Sequence, residues 1–532
     1  MDMIKNHTED FRKDLEKFNE MTEKFYKKEI TVPEYKSFSG GFGSYAQRGG
    51  ERSMIRLRLA GGEVRADQIK FIADSIEKYN ISLVHLTTCQ TIQLHNLEKD
   101  TVCELANAAL DHGIITRGGG GDFPRNVMCS PLSGVEKEES FDVLPYAKLT
   151  AGYLLGFINK VKFPRKLKVC YSNTEQNETH ATFRDLGFVA KENGNFDVYA
   201  AGGLGIKPKF GVKVAEDIEP TKVLYVVKTM VDIFTTYGNY EKRAASRSRF
   251  LQETLGVEGL QKAFMDTLAK NIEQGGLDII NIKCADYDET LVVTSAREQN
   301  DDKIKENPHV ISQKQKGLYA VHYHPIGGCI PTDFFRKIYA TIVTFRGAIT
   351  EENDYDIKLR LTPAQGLYVI NLTAAEAEKI LELTLDGAKN QFECSTACIG
   401  ADICQVGIGK SQALLKSCVE RVREENFADG VLPSIHISGC PSSCSAHQTA
   451  AIGLRGGMKQ TPDGPKPAFA LYENGCERQG EERMGDELGV LTVDELPEFF
   501  VRLGKRITSK NMTYQEFVQK YPEELRKIVS EV

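Results

Sequence analysis

Between Met54 and Leu59 apolar and polar side chains alternate, the period-two pattern of a strand with one buried face. From Ala66 to Tyr79 the period lengthens, and Ile69, Ile72, Ala73, Ile76 and Tyr79 fall on one side of a helix. The stretch from Leu83 to Leu97 then returns as strands. Ahead of these elements, the first 40 residues predict a helical arm, followed by a flexible linker over SFSGGFGSYAQRGG.

The same unit recurs. His85 to Leu97 read HLTTCQTIQLHNL, and 275 positions later Arg360 to Leu372 read RLTPAQGLYVINL, with Leu, Thr, Gln, Asn and Leu in register. A Gly-Gly pair followed by a helical stretch precedes each, Gly61-Gly62 and Gly327-Gly328, at an offset of 266. The second copy therefore carries about nine extra residues, placed in the loop around Thr350, Glu351, Glu352, Asn353 and Asp354. Duplication is the simplest account. Strand, helix, strand, strand is the order of a ferredoxin-like half-domain, which a second copy completes as a pseudo-twofold partner.

Size and composition narrow the class. A chain of 532 residues exceeds what one core supports, so two to four domains are expected. With 41% hydrophobic and 27% charged residues and no apolar run of eighteen, it reads as an ordinary soluble protein without a membrane partner. The charged start MDMIKNHTEDFRKDLEKF is unlike a signal peptide and points to the cytoplasm. A net charge of −7 argues against general affinity for nucleic acid. Thirteen cysteines, an odd number, then favour metal or cofactor work over a disulfide framework.

Four of them form two short clusters, Cys398-x5-Cys404 in TACIGADICQ and Cys440-x3-Cys444 in SGCPSSCSAH. Soft thiolates in short loops suit an iron-sulfur cluster. Zinc pairs usually stand two to four apart and bacterial ferredoxins use a C-x2-C-x2-C run, so neither fits well. The arrangement resembles the siroheme-dependent sulfite and nitrite reductases. The resemblance implies one [4Fe-4S] cluster on Cys398, Cys404, Cys440 and Cys444, with Cys444 bridging to the siroheme iron. Cys394 and Cys418 fall outside the pattern and read as structural.

Reducing a small anion against a tetrapyrrole that carries eight carboxylates calls for fixed positive charge. Arg56 and Arg58 in MIRLRLAGG stand two apart on a strand and share a face. By the resemblance Arg58 contacts the substrate, as does Arg125 in GGGGDFPRNVMCSP, whose glycine run lets backbone approach a ligand. Lys166 and Lys168 in FPRKLKVC match substrate lysines of the sulfite reductases, and Lys168 favours sulfite because related nitrite reductases tend to carry asparagine there. Thr87, Gln93 and His95 match the edge that faces the siroheme carboxylates. Gly202, Gly203, Leu204 and Gly205 resemble a further element of these enzymes, and Arg247 and Arg249 in SRSRF match a basic segment of no assigned role. Taken singly, such cations are more often a solvated sheet face; four in chain order with the cysteines are not.

The chain departs from the family at Cys89, where an arginine is usual, at Ser442, at Ala451 and at Tyr472 to Gly475. None of these removes a cluster ligand or a substrate cation. The expected fold is α+β and internally duplicated, with two ferredoxin-like half-domains in pseudo-twofold symmetry plus two α/β siroheme- and cluster-binding domains. Its expected parts are the arm and linker 1–50, half-domain 51–115, siroheme-binding domain 116–305, half-domain 306–385 and cluster-binding domain 386–532. The expected activity is six-electron reduction of sulfite to sulfide, fed by a ferredoxin or flavoprotein because no flavin or nucleotide domain is evident. Ferredoxin-dependent nitrite reduction is the nearest rival; a monooxygenase like precorrin-3B synthase and an electron carrier with the cluster alone are further ones.

Overall fold

The structure is a computed structural model that describes residues 5–280, 303–347 and 357–532. The loop at Thr350 to Asp354, expected to hold the extra residues of the second copy, lies outside them. Strands form at Ser53–Arg58, Leu83–Leu86 and Thr91–Leu97, and a helix at Ala66–Lys78, as the periodicities require. The second copy supplies Tyr319–Tyr323, Phe334–Arg346, Lys358–Leu361 and Leu367–Leu372 in the same order.

The two copies exchange strands. After Gly61-Gly62 the short strand Glu63–Val64 joins the edge of the second copy's sheet, pairing with Leu359 and Arg360. After Gly327-Gly328 the strand Cys329–Ile330 pairs with Val84 and His85 of the first. Both crossings turn on a left-handed residue, Gly61 at φ 64° and Gly327 at φ 62°, a conformation that costs glycine nothing. The duplication extends to side chains. Gln90 donates through Nε2 to the Leu361 carbonyl at 2.7 Å, and Gln365 returns the bond to Leu86 at 3.1 Å. Gln47 and Gln313 brace Asn96 and Asn371 with matching bonds of 2.7 and 2.9 Å. Gln90→Ala strips partners from the Leu361 carbonyl and from the Cys129 backbone and is expected to cost about 2–3 kcal/mol, read as a lower melting temperature. An unchanged melt would show that the exchange does not depend on it.

One hydrophobic core runs through both half-domains and takes in Phe11, Leu15 and Phe18 of the N-terminal helix Thr8–Tyr26. The predicted arm is thus helical but docked. The stretch expected as a flexible linker is buried over its middle: Gly40, Gly41 and Phe42 are buried, and Ser44–Ala46 adds an antiparallel strand to Ser53–Arg58, while Ser37, Arg48 and Gly49 are exposed. Its small residues serve close packing rather than freedom.

Two further cores have their own sheets, built alike. In one, Met128–Cys129, Val169–Ser172 and Leu186–Ala190 run parallel, then Phe196–Ala200 and Val212–Ile218 antiparallel. In the other, Thr396–Ala397, Ile435–Ser438 and Ile452–Thr461 run parallel, then Gly464–Glu473 and Asp486–Thr492 antiparallel. Among the described residues no helix is long and apolar enough to cross a membrane.

Candidate functional site

Cys398 and Cys440 leave the last sheet side by side because their strands are parallel neighbours. Ala397 pairs with Ile437, and the Cys398 N–H donates to the Ile437 carbonyl at 3.1 Å. Both therefore sit at the carboxyl end of a parallel sheet, where open α/β folds bind ligands. The Gly439 N–H points at the Cys398 sulfur from 3.1 Å, with the Ser411 hydroxyl at 3.2 Å. Cys404 lies in the following turn, held through its carbonyl by Arg48 at 3.1 Å. The Cys444 loop is tied to the first half-domain, where Thr88 donates to the Cys444 carbonyl at 2.7 Å. Cys444 is open to the cavity, yet its depth in the protein, then the proximity of Cys398 and Cys440, pushes its thiol up to about 12. Thiols that raise one another in this way become thiolates only with a cation among them, as iron would be. No group of three or more His, Cys, Asp or Glu is set for a single metal ion among the described residues. A four-iron cluster keeps its ligands further apart than one ion does.

Cys444 opens into a cavity enclosing about 1180 Å³ of atom-free space, part of it open to solvent. Lys166, Lys168, Arg184 and Arg247 line it, and so do Glu178, His180, His436 and Glu477. Burial, then Arg247, Lys168 and Arg125, holds the Lys166 ammonium well below the usual lysine range. Such crowding of like charge is costly unless an anion joins it. Buried Arg247 Nε, Ser443 Oγ and Ser445 Oγ also lack hydrogen-bond partners. A tetrapyrrole rich in carboxylates answers both the excess charge and the idle donors, so the residues present fit siroheme here.

The expected anion residues divide. Lys166 and Lys168 line the cavity with Cys444. Arg125 is near enough to depress Lys166, and its guanidinium donates to the carbonyls of Gly119 and Gly121 at 2.9 and 2.8 Å while Nε stays unpartnered. Arg58 lies behind it, donating to the carbonyls of Arg117 at 2.7 Å and Arg125 at 3.0 Å. The glycine run lets the backbone approach not a ligand but the protein itself: a Cβ at Gly118 would stand 2.7 Å from Arg58 Nη1, and one at Gly120 2.3 Å from the Tyr45 hydroxyl.

Thr87, Gln93 and His95 are not in the cavity lining. Thr87 bonds Thr91 at 2.6 Å, Gln93 bonds His85 at 3.2 Å, and His95 is 1% exposed with both ring nitrogens unpartnered. Thr88 lines the cavity instead. Cys89 meets Lys168, whose Nζ donates to its sulfur at 3.4 Å. Burial would raise that thiol, but Lys168, Arg184 and Arg56 draw it down to about 6. Cys394 and Cys418 are half-buried and buried, with Cys418 in the core under helix Ser411–Arg423.

Glu178, His180, Arg184, His436 and Glu477 escaped the sequence reading, since they come from separate segments without a recognisable spacing. Arg247 was visible in SRSRF without a role, and Asp185 now gives it one. This carboxylate is fully buried, accepts from Arg247 at 3.0 Å and from the Lys168 N–H at 2.9 Å, and also bonds Ser248. Burial opposes its ionisation, yet Arg247 and Ser248 hold its pKa below the usual aspartate value. A depressed carboxylate stabilises the fold above the unfolded aspartate pKa, and that contribution is lost as pH falls through the lower, folded value. Asp185→Asn leaves Arg247 unpaired and is expected to cost about 3–5 kcal/mol and to flatten acid unfolding. Wild-type melting at neutral and low pH would contradict this.

Two family models match the chain: the nitrite/sulfite reductase ferredoxin-like half domain over residues 45–112, and the nitrite and sulphite reductase 4Fe-4S domain over residues 120–272. Neither reaches the four cysteines. A chloroplastic ferredoxin-nitrite reductase of Arabidopsis thaliana is 25% identical over 79% of this chain and 70% of its own. A ferredoxin sulfite reductase of Mycolicibacterium paratuberculosis is 24% identical over 88% of this chain and 81% of its own. The solved NirA protein of Mycobacterium tuberculosis shares the fold, with a TM-score of 0.73 at 20% identity over 93% of this chain and 92% of that one. With the duplicated half-domains, the paired cysteine loops and the cationic cavity, these matches show an oxidoreductase whose residues 45–112 and 120–272 carry the domains of the sulfite and nitrite reductases, enzymes of siroheme and a [4Fe-4S] cluster.

Proposed function

We propose that the chain reduces sulfite to sulfide in the cavity lined by Lys166, Lys168 and Cys444. The observation that carries this reading is the Lys166 ammonium, which has no hydrogen-bond or ion-pair partner among the described residues and stands in one lining with Lys168. When bound, siroheme supplies an iron that takes the anion, and the [4Fe-4S] cluster supplies its electrons.

The chain's own residues do the rest. Cys398, Cys404, Cys440 and Cys444 hold the cluster, and Thr88 fixes the Cys444 loop against the first half-domain. Lys166 binds the anion's oxygens, and Lys168, its backbone held by Asp185, orients them. Arg125 adds positive field from beside Lys166, and Arg58 acts through Arg125 by holding its carbonyl. Charge growing on the oxygens is thus met by groups already in place. Two separate hydrophobic cores support cofactor-binding domains 116–305 and 386–532, and one shared core joins half-domains 51–115 and 306–385. The donor is a ferredoxin, as the relatives' names imply, or a flavoprotein, and cluster thiols suit a reducing compartment such as the cytoplasm.

Nitrite is the second reading, favoured by the contact of Lys168 with the Cys89 sulfur, which reduces the charge left for a substrate. Comparing kcat/KM for sulfite and nitrite on anaerobically purified holoprotein with reduced viologen decides between them. A preference for sulfite that Lys168→Asn narrows supports the proposal; a preference for nitrite overturns it.

A further inference from the structure

We infer that His436, held with His180 against the Glu477 carboxylate, supplies protons to this cavity, with Glu477 as the positioning residue. The inference rests on the cavity being where an anion is reduced.

Three segments far apart in sequence converge here. His180 Nε2 stands 3.0 Å from one Glu477 oxygen, His436 Nδ1 3.7 Å from the other, and the Thr449 hydroxyl donates to that second oxygen at 2.8 Å. Arg184 lies 3.2 Å from His180 Nδ1. A guanidinium only donates, so Nδ1 accepts and the imidazole proton sits on Nε2, facing Glu477. Phe183 stacks on the ring at 4.6 Å and keeps it there. His436 Nδ1 is buried without a hydrogen bond, so it has a site for a proton and no fixed partner for it. Glu178 also faces Glu477, and His447 faces His436. Burial alone would raise the Glu477 carboxyl, but His180 and His436 hold it down at about 2, leaving it an anion against two imidazoles.

The chemistry needs such a group. Bisulfite takes six electrons and six protons to give hydrosulfide and three waters; nitrite takes six electrons and eight protons to give ammonium and two waters. The reduced donor supplies the electrons. Arginines hold oxygens but do not release protons. The His436 Nδ1 lone pair takes a proton from solvent, forming an N–H bond, and the imidazolium rests against the Glu477 carboxylate. That bond then breaks toward a substrate oxygen, its electron pair returns to nitrogen, and the oxygen departs as water.

Glu477→Gln keeps the shape and removes the charge. In holoprotein with an unchanged siroheme spectrum, kcat for whichever anion is reduced is expected to fall about 10²–10³-fold, with KM unchanged and a larger solvent isotope effect. Glu477→Asp is expected to recover part of the rate. A second measurement needs no substrate. Wild-type siroheme is expected to show a midpoint potential that falls as pH rises, and Glu477→Gln to flatten that dependence. Wild-type kcat and isotope effect in Glu477→Gln overturn the inference, as does an unchanged pH dependence of the potential. Loss of siroheme in the variant also overturns it, since the carboxylate then serves cofactor binding. If wild type reduces neither anion, the function reading fails, and the potential still tests Glu477.

Discussion

Serine in place of Cys444 is expected to yield protein without a heme absorption band and with anion reduction lowered by more than about 10³-fold, the scale seen when a group at the reacting centre is removed. Cys444 alone of the four cysteines both lines the cavity and stands near two other cluster thiols, Cys398 and Cys440. A serine hydroxyl is a poor ligand for iron that prefers soft thiolates. Cys418→Ser is the control. Its sulfur is buried in the core and its loss is expected to lower the melting temperature while siroheme and iron stay bound. Equal siroheme loss in both variants would show that Cys444 acts only through the fold.

Lys166→Met is expected to cut kcat/KM about 10²–10³-fold, or roughly 2.7–4 kcal/mol of transition-state stabilisation. The same change is expected to raise the melting temperature of cofactor-free protein. Burial and three neighbouring cations depress Lys166, so in the unfolded chain it binds its proton more tightly. Stability then rises with pH from the depressed folded pKa toward the unfolded lysine value, and below that window the buried charge is a standing cost. Removing it relieves the fold and disarms the site, the trade expected where charge is stored for function. A variant that is inactive and also less stable would show that Lys166 is structural. The melt is read by circular dichroism on apoprotein, apart from any assay of turnover.

Much of this was legible in the chain. Cys398, Cys404, Cys440 and Cys444 lie in two short loops, and local spacing carries their chemistry. Lys166 and Lys168 alternate on one extended segment, so their shared face follows from strand geometry. The repeat could be read because Gln90 and Gln365 perform the same task in both copies, each bonding the other's strand end. What escaped depends on distance along the chain. The exchanged strands Glu63–Val64 and Cys329–Ile330 are two residues long and carry no period of their own. His95 alternates correctly with Gln93, yet the face they share turns toward His85 rather than the cavity. The SFSGGFG stretch has the composition of a linker, and only the close packing of Gly43, where a Cβ would stand 2.6 Å from the Thr116 carbonyl oxygen, shows why a glycine is needed there. Glu477 follows just after Tyr472 to Gly475, the segment that departs from the family, but nothing in the sequence says that His180 meets it 3.0 Å away.

The central claim is that Cys444 would hold both a cluster and a siroheme in the cavity that Lys166 and Lys168 line. Mössbauer spectroscopy of anaerobically purified, iron-57-enriched holoprotein tests it most directly. The account predicts a siroheme iron whose magnetic splitting is shared with all the cluster irons. Full siroheme and full cluster with independent, uncoupled spectra would contradict it.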